Sequence, residues 1–162
     1  MAEFKELLAR VAEGKALEQA DAERAFQVML NGGATPAQMA AFLTALRRNG
    51  ESVTDLAAGA LVLRAKCKPF HAPEGTVDTC GTGGDGLSTV NISTATAFVV
   101  AACGVPVAKH GNHAVSSRSG SADVLSALGI NVQVPSQVME RALKELNICF
   151  LLAPIYHPGM RH

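Results

Sequence analysis

A chain of 162 residues, 48% of them hydrophobic, can bury a sizeable core in one domain, or in a small domain joined to part of another. Its 14 lysines and arginines balance its 14 aspartates and glutamates, so no net field draws it to nucleic acid or to a membrane surface, and any anion site must be local. The amino terminus carries Glu3, Lys5 and Glu6 in place of a signal sequence, and no apolar run approaches membrane-spanning length, which points to a soluble, cytoplasmic protein.

Residues 2–67 hold no strand pattern. They read as about four short helices with Ala-rich and Leu-rich faces, punctuated by Gly14, Gly32-Gly33 and Gly50. Thr35-Pro36-Ala37-Gln38 has the form of a capping box with proline at the first helical position, and it opens a helix carrying Met39, Phe42, Leu43 and Leu46. Ser52 with Asp55, or Thr54 as the cap, opens the next, whose apolar positions are Leu56, Ala60, Leu61 and Leu63. No cluster of catalytic residue types occurs here, so residues 1–67 are expected to be a helical packing domain. Residues 68–76 are rich in proline and glycine and read as a hinge or linker.

From Val77 onward the pattern alternates as in βαβ units. A strand over Val77 to Cys80 precedes a helix over Ser93 to Cys103, ended by Gly104; a strand over Val105 to Ala108 precedes a helix over Ser121 to Leu128, ended by Gly129. A strand near Ile130 to Val134, a helix over Ser136 to Leu146 and a strand over Ile148 to Ala153 follow. The segment Ala95 to Cys103 is apolar on all sides, as expected of a helix packed between a sheet and a partner domain. The expected fold class is therefore α/β: a helical domain followed, over residues 77–162, by the first part of a mainly parallel sheet domain. The last residues, Pro158 to His162, read as part of a loop.

The chemistry is concentrated between Val77 and Asp123. Gly81-Thr82-Gly83-Gly84-Asp85-Gly86 holds four glycines in six residues, so its backbone N–H groups can turn inward around a phosphate. Ser88, Thr89, Asn91, Ser93 and Thr94 then place small polar side chains beside the positive end of a helix. Gly81, Gly83 and Gly86 satisfy G-x-G-x-x-G, but the helical pattern does not start until after Asn91, and the next strand ends in Lys109, a cation, where a dinucleotide fold places an acid. A second polar loop runs from Lys109 through His110, Gly111, Asn112, His113, Ala114, Val115, Ser116, Ser117, Arg118, Ser119 and Gly120 to Ser121. Two phosphate-type loops at the ends of consecutive strands point to a ligand with phosphate at both ends.

Other residues carry plainer expectations. His110 and His113 are spaced as a metal pair but have no third ligand of suitable spacing, which favours substrate contact or a structural role. Arg118 could meet a phosphate or a loop salt bridge. Asp78 reads as a hydrogen-bonding residue of its strand. The widely spaced Cys67, Cys80, Cys103 and Cys149 form no zinc pattern and read as buried, reduced thiols.

The paired motifs GTGGDG…STVNIST and KHGNHAVSSRSGSADVLSALG closely resemble those of anthranilate phosphoribosyltransferases, and the likeness extends over the whole chain. The resemblance implies a fold of the nucleoside phosphorylase/phosphoribosyltransferase type, with a homodimer formed through the N-terminal helices. It implies that Gly81, Gly84, Asp85, Thr89, Asn91, Ile92, Ser93 and Thr94 bind phosphoribosyl pyrophosphate. Lys109, His110, Gly111, Asn112, His113, Ala114, Val115, Ser116, Ser117 and Ser121 would complete that site. Ser93 would also reach Mg2+, while Gly81 and Asn112 would face anthranilate.

No side-chain nucleophile or acid catalyst is implied, because the reaction needs positioning and charge stabilisation around an oxocarbenium-like ribose. Family members are longer, and the acidic magnesium ligands and an anthranilate-binding arginine would lie beyond His162. The chain is thus expected to be the N-terminal part of such a protein, without turnover alone and prone to associate through an uncovered strand edge. Two rivals remain: a pyrimidine nucleoside phosphorylase of the same architecture, and a non-catalytic nucleic-acid-binding or phosphate-binding relative.

Overall fold

The structure, a computed structural model, describes residues 2–81, 91–114 and 119–161. By its contacts the chain divides into two compact units, one of residues up to Cys67 with 157–161, the other of residues 68–156.

The first unit contains the four expected helices, α1 (Ala2–Ala12), α2 (Gln19–Leu30), α3 (Pro36–Asn49) and α4 (Val53–Lys66). The capping box at α3 is present: Thr35 Oγ1 accepts from Gln38 N at 3.3 Å, and Gln38 Oε1 accepts from Thr35 N at 2.9 Å. At α4 the cap is Ser52, not Thr54. Ser52 Oγ accepts from Asp55 N at 3.1 Å and Asp55 Oδ2 accepts from Ser52 N at 2.9 Å. Ser52→Ala is therefore expected to destabilise this unit by about 1–2 kcal/mol, read as a lower urea midpoint, while Thr54→Ala should leave the midpoint nearly unchanged. Buried Phe4 and Phe42 centre the core with their rings 5.6 Å apart, and Phe26 meets Phe42 edge-on at 6.2 Å. The 3-10 turn Pro158–Arg161, expected to be irregular, belongs to this unit, where Gly159 lies against Leu30.

The second unit contains α5 (Ile92–Ala102), β1 (Val107–Gly111), α6 (Ser121–Ala127), α7 (Ser136–Leu146), β2 (Ile148–Leu152) and α8 (Ala153–Tyr156). β1 and β2 pair in parallel, from Val107 opposite Ile148 to Gly111 opposite Leu152. Side chains alternate across this sheet. Ala108 and Cys149 face Met139 and Leu143 of α7, whereas Val107 packs with Ala97 and Ala101 of α5, and Phe150 with Ala122 and Leu125 of α6. Helix α5 is not covered all round as its composition suggests: Ile92, Phe98 and Val99 are exposed.

Three strand expectations change. The stretch Val77 to Cys80 reduces to one parallel bridge, in which Val77 N donates to Pro106 O at 2.9 Å and Val77 O accepts from Ala108 N at 3.0 Å. The next rung would join His110 N to Thr79 O, but His110 N donates instead to Asp78 Oδ1 at 3.1 Å, so a side chain ends the ladder. The strand expected over Val105 to Ala108 is shifted to Val107–Gly111, because Val105 N stays bonded to Val100 O of the preceding helix and Pro106 has no N–H. Residues 130–134 form no strand; Asn131 Oδ1 accepts from Gln133 N at 3.0 Å in a local turn, and Val132 is buried against α6. The proline-rich segment read as a hinge lies on the second unit: Lys68 N donates to Tyr156 O at 2.7 Å, and Phe70 meets Tyr156 edge-on at 5.9 Å.

Candidate functional site

The polar residues expected to act together gather at the carboxyl end of β1. Asn91 caps α5, its Oδ1 accepting from Thr94 N at 3.2 Å and from Thr94 Oγ1 at 2.7 Å. This opens the helix with its first N–H groups and Ser93 beside the end of the sheet. Thr79 Oγ1 donates to Ser93 O at 2.8 Å, which fastens the helix start to the end of the bridged segment. Lys109, a strand residue and not the first of a loop, sits on the face of β1 that α5 covers, and its Nζ donates to Ser93 Oγ at 3.2 Å. Among the described residues the two polar regions thus meet through the bond between Lys109 and Ser93.

Lys109 is 2% exposed. It shares an otherwise apolar cavity of about 270 Å³ with Phe98, Leu125, Met139 and Phe150. Desolvation there pushes its ammonium below the usual lysine range, while the charges of Cys80 and Asp78 oppose that shift. Among the described residues this ammonium makes no ion pair within salt-bridge distance, which suits it to a phosphate oxygen.

Beyond Gly111 the chain is sewn to the start of α6. Asn112 O accepts from Ala122 N at 3.2 Å. Asp123 Oδ2 accepts from both Ala114 N, at 2.9 Å, and Gly120 N, at 2.7 Å, and Asp123 Oδ1 lies 2.6 Å from His113 Nδ1. Gly120 is required by the close approach: a Cβ there would stand 2.4 Å from Asn112 O and 2.5 Å from Ala114 N. Ser121 lies against Gly111, where a Cβ would meet Ser121 Cβ at 2.9 Å. Neither Asp123 nor Gly120 was singled out from the sequence. The signal available was an acid three residues after a candidate N-cap, the half of a capping box that reaches back to the backbone.

The ring of His113, followed by the Gly120 and Ala114 N–H groups, holds the Asp123 carboxyl down at about 2. A carboxyl lowered in the folded state stabilises it above the unfolded value of 3.8, and that stabilisation is lost as pH falls through about 2. Acid unfolding followed by circular dichroism should show this loss in the native protein, and Asp123→Asn should remove the part of the acid response that lies in that window.

His113 is held by Asp123, in keeping with the structural role weighed for it over a metal pair with His110. His110 instead lies near Asp78 and Cys80, residues about thirty positions earlier that no local spacing would connect to it; one ligand atom from each lies within 4.8 Å of the others. Asp78 is a hydrogen-bonding residue as expected, with Oδ1 accepting from Cys80 N at 2.9 Å and from His110 N. The expectation of buried thiols holds only for Cys149, whose pKa burial raises to about 12; Cys80 and Cys103 are exposed and Cys67 is half-buried. Ile92 is exposed at the first turn of α5, and Gly81, Asn112, His113 and Ala114 are exposed. Gly84, Asp85, Thr89, Val115, Ser116, Ser117 and Arg118 lie outside the described residues. Among the described residues no helix is long and apolar enough to cross a membrane.

Two family models match. The helical bundle domain of a glycosyl transferase family matches residues 5–67, and the a/b domain of a glycosyl transferase family matches residues 73–162. The chain belongs to this glycosyl transferase family. Its curated relatives include an anthranilate phosphoribosyltransferase of Azospirillum brasilense, 54% identical over 100% of this chain and 46% of the relative. Another, of Rhodospirillum rubrum, is 52% identical over 99% of this chain and 46% of the relative.

Among solved structures, the anthranilate phosphoribosyltransferase of Thermus thermophilus superposes with a TM-score of 0.86 at 40% identity, over 96% of this chain and 48% of that one. The Saccharomyces cerevisiae enzyme in complex with PRPP and Mg gives 0.80 at 28% identity, over 98% of this chain and 48% of that one. This member of the family therefore spans about half the length of the relatives it matches. Its helical unit followed by the start of a parallel α/β sheet agrees with the fold of those structures.

Proposed function

We propose that this chain serves the transfer of the phosphoribosyl group from phosphoribosyl pyrophosphate to the amine of anthranilate, giving N-(5-phosphoribosyl)anthranilate and pyrophosphate in tryptophan biosynthesis. The observation that carries this reading is the meeting of Lys109 Nζ with Ser93 Oγ at the N-terminal turn of α5: a desolvated cation, a hydroxyl and a helix start in one place. Such a group can receive the negative charge that builds on a departing pyrophosphate without rearranging, which is where preorganised electrostatics lowers a barrier. The attacking aniline nitrogen is already unprotonated at neutral pH, so the chain needs to position it and not to deprotonate it.

In this reading Gly81, Gly84, Asp85, Thr89 and Asn91 to Thr94 hold phosphoribosyl pyrophosphate from one side. Lys109 to Ser117 and Ser121 hold it from the other, and the Gly81 backbone and Asn112 face anthranilate. The donor set for magnesium among the described residues is one hydroxyl, Ser93 Oγ, hydrogen-bonded to a lysine, which fits an ion that brings phosphate oxygens with it. When bound, that ion would neutralise pyrophosphate charge; Ser93 would lend it one oxygen. Exposed Leu43, Val53, Leu56 and Leu61 of α3 and α4 support a homodimer through the helical unit.

The decisive experiment is a chimera in which this chain replaces the matching half of the Azospirillum brasilense relative. With phosphoribosyl pyrophosphate and Mg2+ it should consume anthranilate, followed by the loss of anthranilate fluorescence. A folded chimera that cleaves nucleosides with phosphate and leaves anthranilate untouched would reject the proposal.

A further inference from the structure

We propose that Asp78, Cys80 and His110 form a site for a borderline-soft divalent transition metal of the Zn2+ or Co2+ kind, distinct from any magnesium that travels with phosphate. One ligand atom from each residue lies within 4.8 Å of the other two. Around a tetrahedral zinc, with bonds of about 2.0–2.3 Å, ligand atoms stand roughly 3.3–3.8 Å apart. The set therefore has to close by at most about 1.5 Å, which side-chain rotation supplies.

The backbone already holds the three residues in register. Asp78 and Cys80 are two apart, and the turn closed by Cys80 N donating to Asp78 Oδ1 keeps them side by side. The bridge between Val77 and Val107 brings that segment alongside β1, where His110 shares the face of Ala108. A single oxygen, Asp78 Oδ1, accepts from the N–H groups of both Cys80 and His110 and so ties all three together, while a metal would take Oδ2.

Sulfur, nitrogen and one carboxylate oxygen suit zinc or cobalt and not magnesium, which demands oxygen ligands and keeps its waters. Binding converts the Cys80 thiol to a metal-bound thiolate and releases its proton to buffer; a carboxylate and a thiolate together neutralise the dication. Three protein ligands leave a fourth position for water or an incoming anion. The buried Lys109 ammonium, which feels the charges of Asp78 and Cys80, opposes the ion and places its affinity below that of closed structural zinc sites.

The test is a titration of the reduced, metal-free protein with Co2+, read by the thiolate-to-cobalt charge-transfer absorption. One cobalt per chain should bind, Zn2+ should displace it, and excess Mg2+ should leave the band intact. Cys80→Ser should abolish the band. His110→Ala should weaken binding more than about a hundredfold, beyond what loss of an outer partner causes. Asp78→Asn keeps an oxygen for the two N–H groups, so circular dichroism can verify its fold, and it should weaken binding to a similar extent. A band that persists in Cys80→Ser, a folded Asp78→Asn or His110→Ala protein that binds cobalt as the native chain does, or loss of the band on adding Mg2+ would each overturn the proposal.

Discussion

Alanine at Gly120 is expected to disable the anion site and to lower stability together. The added Cβ would fall 2.4 Å from Asn112 O, 2.5 Å from Ala114 N and 2.6 Å from His113 C, all backbone atoms that cannot rotate away. Either the 112–114 segment or the start of α6 has to move, and both are fastened to Asp123. Overpacking of this kind costs about 3 kcal/mol. In a chain of this length that lowers the melting temperature by roughly 6–12 °C. Calorimetry should show the fall, and titration with phosphoribosyl pyrophosphate should show binding weakened more than tenfold. A Gly120→Ala protein that melts and binds like the native one would mean that the approach of these segments does not shape the site.

Lys109→Met is expected to separate binding from stability. Removing the ammonium eliminates a charge-assisted hydrogen bond to an anion, worth about 1.5–3 kcal/mol, or roughly 10–150-fold in affinity for pyrophosphate. The fold should not suffer, because methionine fills the same apolar cavity without a desolvated charge. The pH dependence has a definite sign. Since burial lowers the pKa from 10.5, the unfolded chain binds more protons than the folded one between the depressed value and 10.5. The contribution of Lys109 to stability therefore rises with pH across that window, while affinity for anions falls. Urea unfolding and calorimetric titration at about pH 8 and 10 should show the two trends in the native protein and neither in Lys109→Met.

Much of the helical unit could be read from local chemistry. Thr35-Pro36-Ala37-Gln38 and Ser52 with Asp55 mark helix starts because a hydroxyl and its partner three residues on satisfy each other within one turn. The sheet was less legible. Strand existence depends on partners far along the chain, and Asp78 interrupts a ladder that β-branched neighbours would have supported. Val132 shows the same limit: apolar, in a strand-like run, yet buried against a helix from an irregular segment. At the candidate site, Ser93 and Lys109 were visible as residue types that phosphate chemistry calls for. The clasp made by Asp123 and the association of Cys80 with His110 were not, since both arise from contacts that only folding creates.

Strand β1 sets consecutive side chains to opposite uses: Lys109 turns toward α5 and Ser93, and His110 toward the side of Asp78 and Cys80. Inserting one residue upstream within that strand would move each side chain to the opposite face, setting Lys109 among the would-be metal ligands and Ala108 in the phosphate cavity. Both sites would fail at once from a change that substitutes none of their own residues. The length of this short strand is therefore constrained as tightly as the identity of the residues at either site.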